Sequence, residues 1–120
     1  MASGPAVVVS KHFEKVTDPR ANRGKNHSLI EMIFLALTAT ICGAQGWADV
    51  ERFAKSKLKW FRRHVRLKHG VPSHDTFGRV FSRLDTGEFL TAMHAWVDAF
   101  AASLRGQGVA IDGKTLRGSF

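Results

Sequence analysis

At 120 residues and 44% hydrophobic content, the chain is sized for one domain that buries about 60–70% of the surface its unfolded form exposes. Eighteen Lys and Arg against ten Asp and Glu give a net charge of +8, which excludes an acidic tail or a calcium buffer and makes a polyanion the natural partner. The one cysteine, Cys42, excludes an internal disulfide framework and a Cys-rich zinc module, and it points to a reducing compartment such as the cytoplasm.

The first residues, MASGPAVVVSKHF, hold three valines and no preceding cation, which does not match a secretory signal. A short helix is expected over residues 8–15. Residues 17–26 (TDPRANRGKN) are rich in turn formers, with Pro19 and Gly24, and read as an exposed loop. Ser28 followed by Glu31 matches a capping box, and Gly43 is a fitting stop, so residues 28–42 read as a helix. That segment is apolar nearly all round, which marks a central core helix. It is too short for a bilayer and carries Glu31, so no membrane span is expected.

A helix opening at Gly46 and Trp47 carries the charge of the protein. Arg52, Lys55, Lys57, Lys59, Arg62, Arg63, Arg66 and Lys68 fall within 17 residues that contain no acid, while the remainder of the chain is balanced. On a continuous helix, to which a second short helix capped by Ser56 is the alternative, Val50, Ala54, Leu58, Phe61 and Val65 share one arc. Arg52, Lys55, Lys59, Arg62, Arg63 and Arg66 share another, about 100° wide. Two readings stand: a solvated basic face, or a surface whose self-repulsion is relieved by a bound polyanion.

After a turn at HGVP, residues 69–72, Ser73 is placed to cap a helix whose packed face is Phe77, Val80, Phe81 and Leu84. Arg79 and Arg83 lie on its polar side. A basic helix, a turn and a short second helix have the order of a helix-turn-helix reader, with a longer turn than usual. Asp85 and Glu88 form a second capping-box pattern. They open a long helix with Phe89, Leu90, Met93, Trp96, Val97, Phe100, Ala101 and Leu104 on one side. Gly106-Gln107-Gly108 ends it, and residues 109–111 form a short β-like run before an Asp-Gly turn.

Adjacent Ser73, His74 and Asp75 do not make a catalytic triad, because neighbouring side chains point apart. His64, His69 and His74 recur every five residues, off any one helical face, which speaks against zinc. Asp112 has two readings that spacing leaves open. It is a turn residue, or a strand-end carboxylate of the kind that holds a divalent metal for phosphoryl transfer.

Four runs are shared with a known family: DPR at 18–20, GWADVERFA at 46–54, GVPSHDTFGRVFSRLD at 70–85 and AIDGKTLRGS at 110–119. In this order they resemble the N-terminal part of bacterial insertion-sequence transposases of the DDE class, the H-repeat-associated group. The resemblance implies a mostly α fold in three parts. Residues 1–27 are an arm and loop, residues 28–105 a helical, helix-turn-helix-like DNA-binding domain, and residues 106–120 the first strand of an RNase H-like catalytic domain.

It also implies that Asp112 is the first of three catalytic carboxylates, binding Mg²⁺ or Mn²⁺ in the full-length parent. One carboxylate offers too few oxygens for two metals, so this chain, ending eight residues later, is expected to be a truncated piece, inactive and metal-free alone. The expected partner is DNA at transposon ends, in the bacterial cytoplasm and nucleoid, with homo-oligomers in view. Lys55, Lys59, Arg62, Arg63 and Arg66 are assigned to phosphates, and Arg79 and Arg83 to the groove. The alternative is a dimerisation or protein-interaction module whose Trp47, Trp60 and Trp96 side packs on a missing domain or a second subunit.

Overall fold

The computed structural model describes residues 5–20 and 27–106, with only the backbone described at 103–105. Six helices follow in order: α1 (Pro5–Phe13), α2 (Leu29–Ile41), α3 (Trp47–Ser56), α4 (Leu58–Phe61), α5 (His74–Ser82) and α6 (Thr86–Gly106). Among the described residues there is no strand, and no helix is long and apolar enough to cross a membrane. The expected strand at 109–111 lies outside the described residues.

The all-round apolar character of α2 has the consequence expected for a central helix. Met32, Ile33, Phe34, Leu35 and Ala39 are buried, with α1 on one side and α3 on another. α1 also packs on α6 and runs antiparallel to it. Phe13 meets Phe89 near the start of α6 at 5.5 Å between ring centroids, and Pro5 and Val8 share a cavity wall with Ala99 and Phe100 near its end.

All three expected caps are present. The Glu31 backbone N–H donates to Ser28 Oγ at 3.4 Å, that of Thr76 to Ser73 Oγ at 3.2 Å, and that of Glu88 to Asp85 Oδ1 at 2.9 Å. The Glu88 carboxylate accepts from the Thr17 backbone N–H and hydroxyl at 3.0 and 3.2 Å. It thereby ties the segment after α1 to the start of α6. Gly43 stops α2 with φ +107°, a left-handed conformation that suits glycine.

The basic segment is not one helix. Ser56 Oγ donates to the Phe53 carbonyl at 2.8 Å, and Lys57 leaves helical geometry at φ −111°, ψ 24°. This bend turns the one-turn helix α4 so that Phe61 is fully buried, edge-on to Phe34 at 5.6 Å and to Phe53 at 6.1 Å. Burying such a side chain contributes about 1.5–3 kcal/mol, which outweighs the loss of a continuous helix.

Beyond α4 the chain passes through Leu67, a left-handed non-glycine residue at φ +47° and only 1% exposed. That conformation costs about 1–2 kcal/mol. It is offset by burial of Leu67 and by its carbonyl, which accepts from Arg62 Nη2 at 3.2 Å and the Gly70 backbone N–H at 3.0 Å.

Candidate nucleic-acid interface

Two of the shared runs meet in space. Trp47, at the start of α3, stacks on Phe77 of α5 with planes 2° apart and centroids at 5.6 Å, and it lies 4.8 Å from Phe81. A Cβ at Gly78 would come within 3.3 Å of the Trp47 indole, so the glycine inside α5 is where the two helices approach closely.

Beside this aromatic contact, Glu51 Oε1 accepts both the backbone N–H of His74 at 2.8 Å and its ring Nδ1–H at 2.9 Å, while Oε2 takes the Lys55 ammonium at 2.6 Å. The Lys55 and His74 hydrogen bonds hold the Glu51 carboxyl down at about 2. A carboxylate from α3 therefore occupies the first turn of α5, where an anion is favoured, and fixes the angle between the helices.

The cations divide into two groups. Arg52 is paired with Asp49, whose carboxyl is held below its ordinary value by the Gln45 backbone N–H and by Arg52. Lys55 is paired with Glu51. Past the bend, Lys57, Lys59, Arg62, Arg63, Arg66 and Lys68 are all exposed and make no ion pair among the described residues. Arg62 is partly engaged by the Leu67 carbonyl.

On α5, Arg79 is exposed with Nη2 3.4 Å from Thr76 Oγ1, and exposed Arg83 is the residue that closes the helix. Of the residues assigned from sequence, Lys59, Arg63 and Arg66 thus share one unpaired segment, Lys55 is neutralised, and Arg79 and Arg83 belong to the second helix. Asp112 lies outside the described residues.

Glu51 escaped the sequence reading, and Trp47, grouped there with Trp60 and Trp96, instead packs on α5. Both sit in a shared run, yet the acid-free stretch begins at Arg52, so the acids just upstream were not set against its cations. The histidines have separate neighbours. His64 packs on Trp60 at 4.6 Å, His69 meets His27 at 6.3 Å, and His74 belongs to Glu51. Burial, then the nearby His69 and Arg20, push His27 below its ordinary value. Ser73 Oγ faces Thr76 Oγ1 at 3.1 Å, in a capping role. No group of three or more His, Cys, Asp or Glu able to hold a metal occurs among the described residues.

The DPR run closes on itself. Arg20 donates from Nε and Nη2 to the two Asp18 oxygens at 3.0 and 2.8 Å, and from its backbone N–H to Oδ1 at 3.0 Å. With its side chain 8% exposed, Arg20 is part of the structure rather than a free cation, in contrast to the exposed loop expected there.

The molecule is thus a small helical domain with an unpaired cationic segment next to a rigidly joined helix pair. A family model described as DDE_Tnp_1-associated matches residues 10–97, and the chain belongs to that family. It is 42% identical over 113 residues to a Xanthobacter autotrophicus protein encoded in the dhlA 3' region, a match covering 89% of this chain and 37% of the relative. It is 33% identical over 110 residues to YhhI of Escherichia coli K12, named as an H repeat-associated transposase, covering 92% of this chain and 29% of YhhI. The K12 protein named "Inactive transposase YbfQ" is 37% identical over 73 residues, covering 61% of this chain and 87% of YbfQ. The chain spans only about a third of the length of the first two relatives. No solved structure matches it.

Proposed function

We propose that this chain is the DNA-binding N-terminal region of a transposase and acts in DNA transposition. The observation that carries the reading is the exposed segment Lys57, Lys59, Arg62, Arg63, Arg66 and Lys68, which makes no ion pair among the described residues. A cation without an internal acid gains most from a phosphate, and release of condensed counterions supplies the affinity. In this reading Lys59, Arg63 and Arg66 grip the backbone, with Arg62 beside them. α5, held at a fixed angle by Glu51 and Trp47, presents Arg79 and Arg83 to the groove.

Metal-dependent strand cleavage and transfer belong, on this proposal, to the longer transposase. Asp112 would supply the first carboxylate toward Mg²⁺ or Mn²⁺ there, and a single carboxylate does not suffice for two metals.

Measuring duplex affinity against salt concentration tests the proposal. Three to five phosphate contacts give a log–log slope of about −3 to −4.5, and K59E/R63E abolishes binding while leaving the helical circular dichroism unchanged. A slope near zero, or full binding by the charge-reversed variant, defeats the reading and leaves the interaction module.

A further inference from the structure

Among the described residues the large apolar side chains left exposed are Val7, Ile41, Leu90 and Trp60, and Trp60, at 39%, is the one aromatic of the set. It also falls inside the acid-free basic stretch, between Lys59 and Arg62. Trp47, by contrast, is taken up by Phe77 and Phe81, and Trp96 is buried beside Phe100 in an apolar groove that Trp60 borders.

Three neighbours hold the Trp60 ring in place. It lies 21° from the plane of Phe34 at 6.1 Å, edge-on to Phe61 at 5.2 Å, and 4.6 Å from the half-buried imidazole of His64. Around it, Lys57, Lys59 and Arg63 are exposed and make no ion pair among the described residues. Arg63 follows by one turn, its backbone N–H donating to the Trp60 carbonyl at 3.1 Å.

A partner for this surface has to satisfy the ring and the cations together. An apolar protein surface laid over Trp60 would strip water from the cations and return nothing for it. A duplex meets the cations but not the ring, because its bases are stacked on one another and reached only by their edges in the grooves. Single-stranded DNA supplies both: phosphates for the cations and, once unstacked, a flat base for the indole, in a contact that tolerates any sequence because every base has a π-face. A ring already fixed by its neighbours gives up little freedom when a base settles on it.

We propose, resting on the DNA-binding reading of the same segment, that residues 57–63 take unpaired DNA, with a nucleobase stacked on the open part of Trp60 and the adjoining phosphates held by Lys57, Lys59 and Arg63.

The test titrates the full chain, at one salt concentration, against three end-labelled probes of equal length followed by fluorescence anisotropy: oligo-dT, the same strand with abasic sites in place of its bases, and a duplex. The two single strands carry the same phosphates and differ only in the rings. The parent binds oligo-dT about tenfold more tightly than the abasic strand. W60A loses that ratio while its duplex affinity stays close to the parent's, W60F keeps most of it, and K59A weakens both single strands alike. Oligo-dT also quenches the tryptophan emission of the parent, and W60F removes the quenching. Each variant must keep the circular dichroism of the parent. Equal affinity of the parent for oligo-dT and the abasic strand, or an unchanged ratio in W60A, overturns the proposal, and duplex binding in the same series leaves the DNA-binding reading standing. Failure of the parent to bind any of the three probes removes both. Self-association that W60A abolishes, without a preference for bases, places a second copy on Trp60 and overturns the proposal as well.

Discussion

Residues 47–56 and 57–68 carry the same kinds of cation in one continuous run of sequence, yet they present opposite surfaces. In α3, Arg52 and Lys55 are met by Asp49 and Glu51 one turn earlier on the same helix. Past the bend at Lys57 no acid lies within a helical turn upstream, and Lys59, Arg63 and Arg66 stay unpaired among the described residues. Charge counted along a chain is therefore not charge presented, and the bend that buries Phe61 separates the two.

The largest test of that contrast removes the anchor of the bend. F61A, which empties a fully buried site touching Phe34, Phe53 and Trp60, is expected to cost about 3–5 kcal/mol in denaturant unfolding. W60A, at a half-open rim, should cost much less. Equal losses would mean that the bend does not depend on Phe61.

Next, K59A/R63A is expected to lower the salt slope of DNA binding by about 1.8, whereas R52A/K55A, which removes the same formal charge, leaves it nearly unchanged. Identical slopes would show that the ion pairs of α3 do not withhold their cations from DNA.

A smaller effect concerns α5. R79A is expected to lose about 1–3 kcal/mol of preference for transposon-end over random duplex at fixed salt, while R63A weakens both alike. An unchanged ratio for R79A removes α5 as the reader.

The smallest is a pH effect. The Glu51 carboxyl titrates near 2 in the folded chain, below its ordinary 4.5. The unfolded chain therefore takes up the proton first, and the stability from this clamp, complete above about pH 5, is lost as pH falls toward 2. His27 has the same sign at higher pH, because its folded value lies below 6.5 and acid favours the unfolded form. E51Q should flatten the unfolding midpoint between pH 5 and 2, and H27N should flatten it below about 6.5, each followed by thermal melts.

Much of the fold was legible because helix starts are written locally. Ser28, Ser73 and Asp85 each cap a helix through a backbone N–H three residues on; on the apolar faces after them Phe77, Val80, Leu84, Met93, Trp96 and Val97 are buried, while Leu90 is 41% exposed. The capping boxes were legible only by half. Glu88 turns its carboxylate to Thr17, 71 residues earlier in the chain, a partner that no local pattern names. Of the two readings of residues 47–66, the continuous helical wheel gives way to a second short helix after Ser56, because periodicity is blind to a bend whose gain is a contact with Phe34 on another helix. Grouping Trp47 with Trp60 and Trp96 failed in the same way, since residue type does not say which neighbours a side chain will have.

The helical class, the helix starts, the concentration of positive charge and membership of the transposase-associated family are readable from residue order, because each rests on residue identity or spacing within a few turns. Which cations are neutralised and where the basic segment breaks came from packing. It also decided that Glu51 and Trp47 lock α3 to α5, and that Trp60 and Trp96 share a groove. Each of those outcomes depends on groups brought within a few ångströms of one another by packing, and charge pairing and apolar burial act through that distance rather than along the chain.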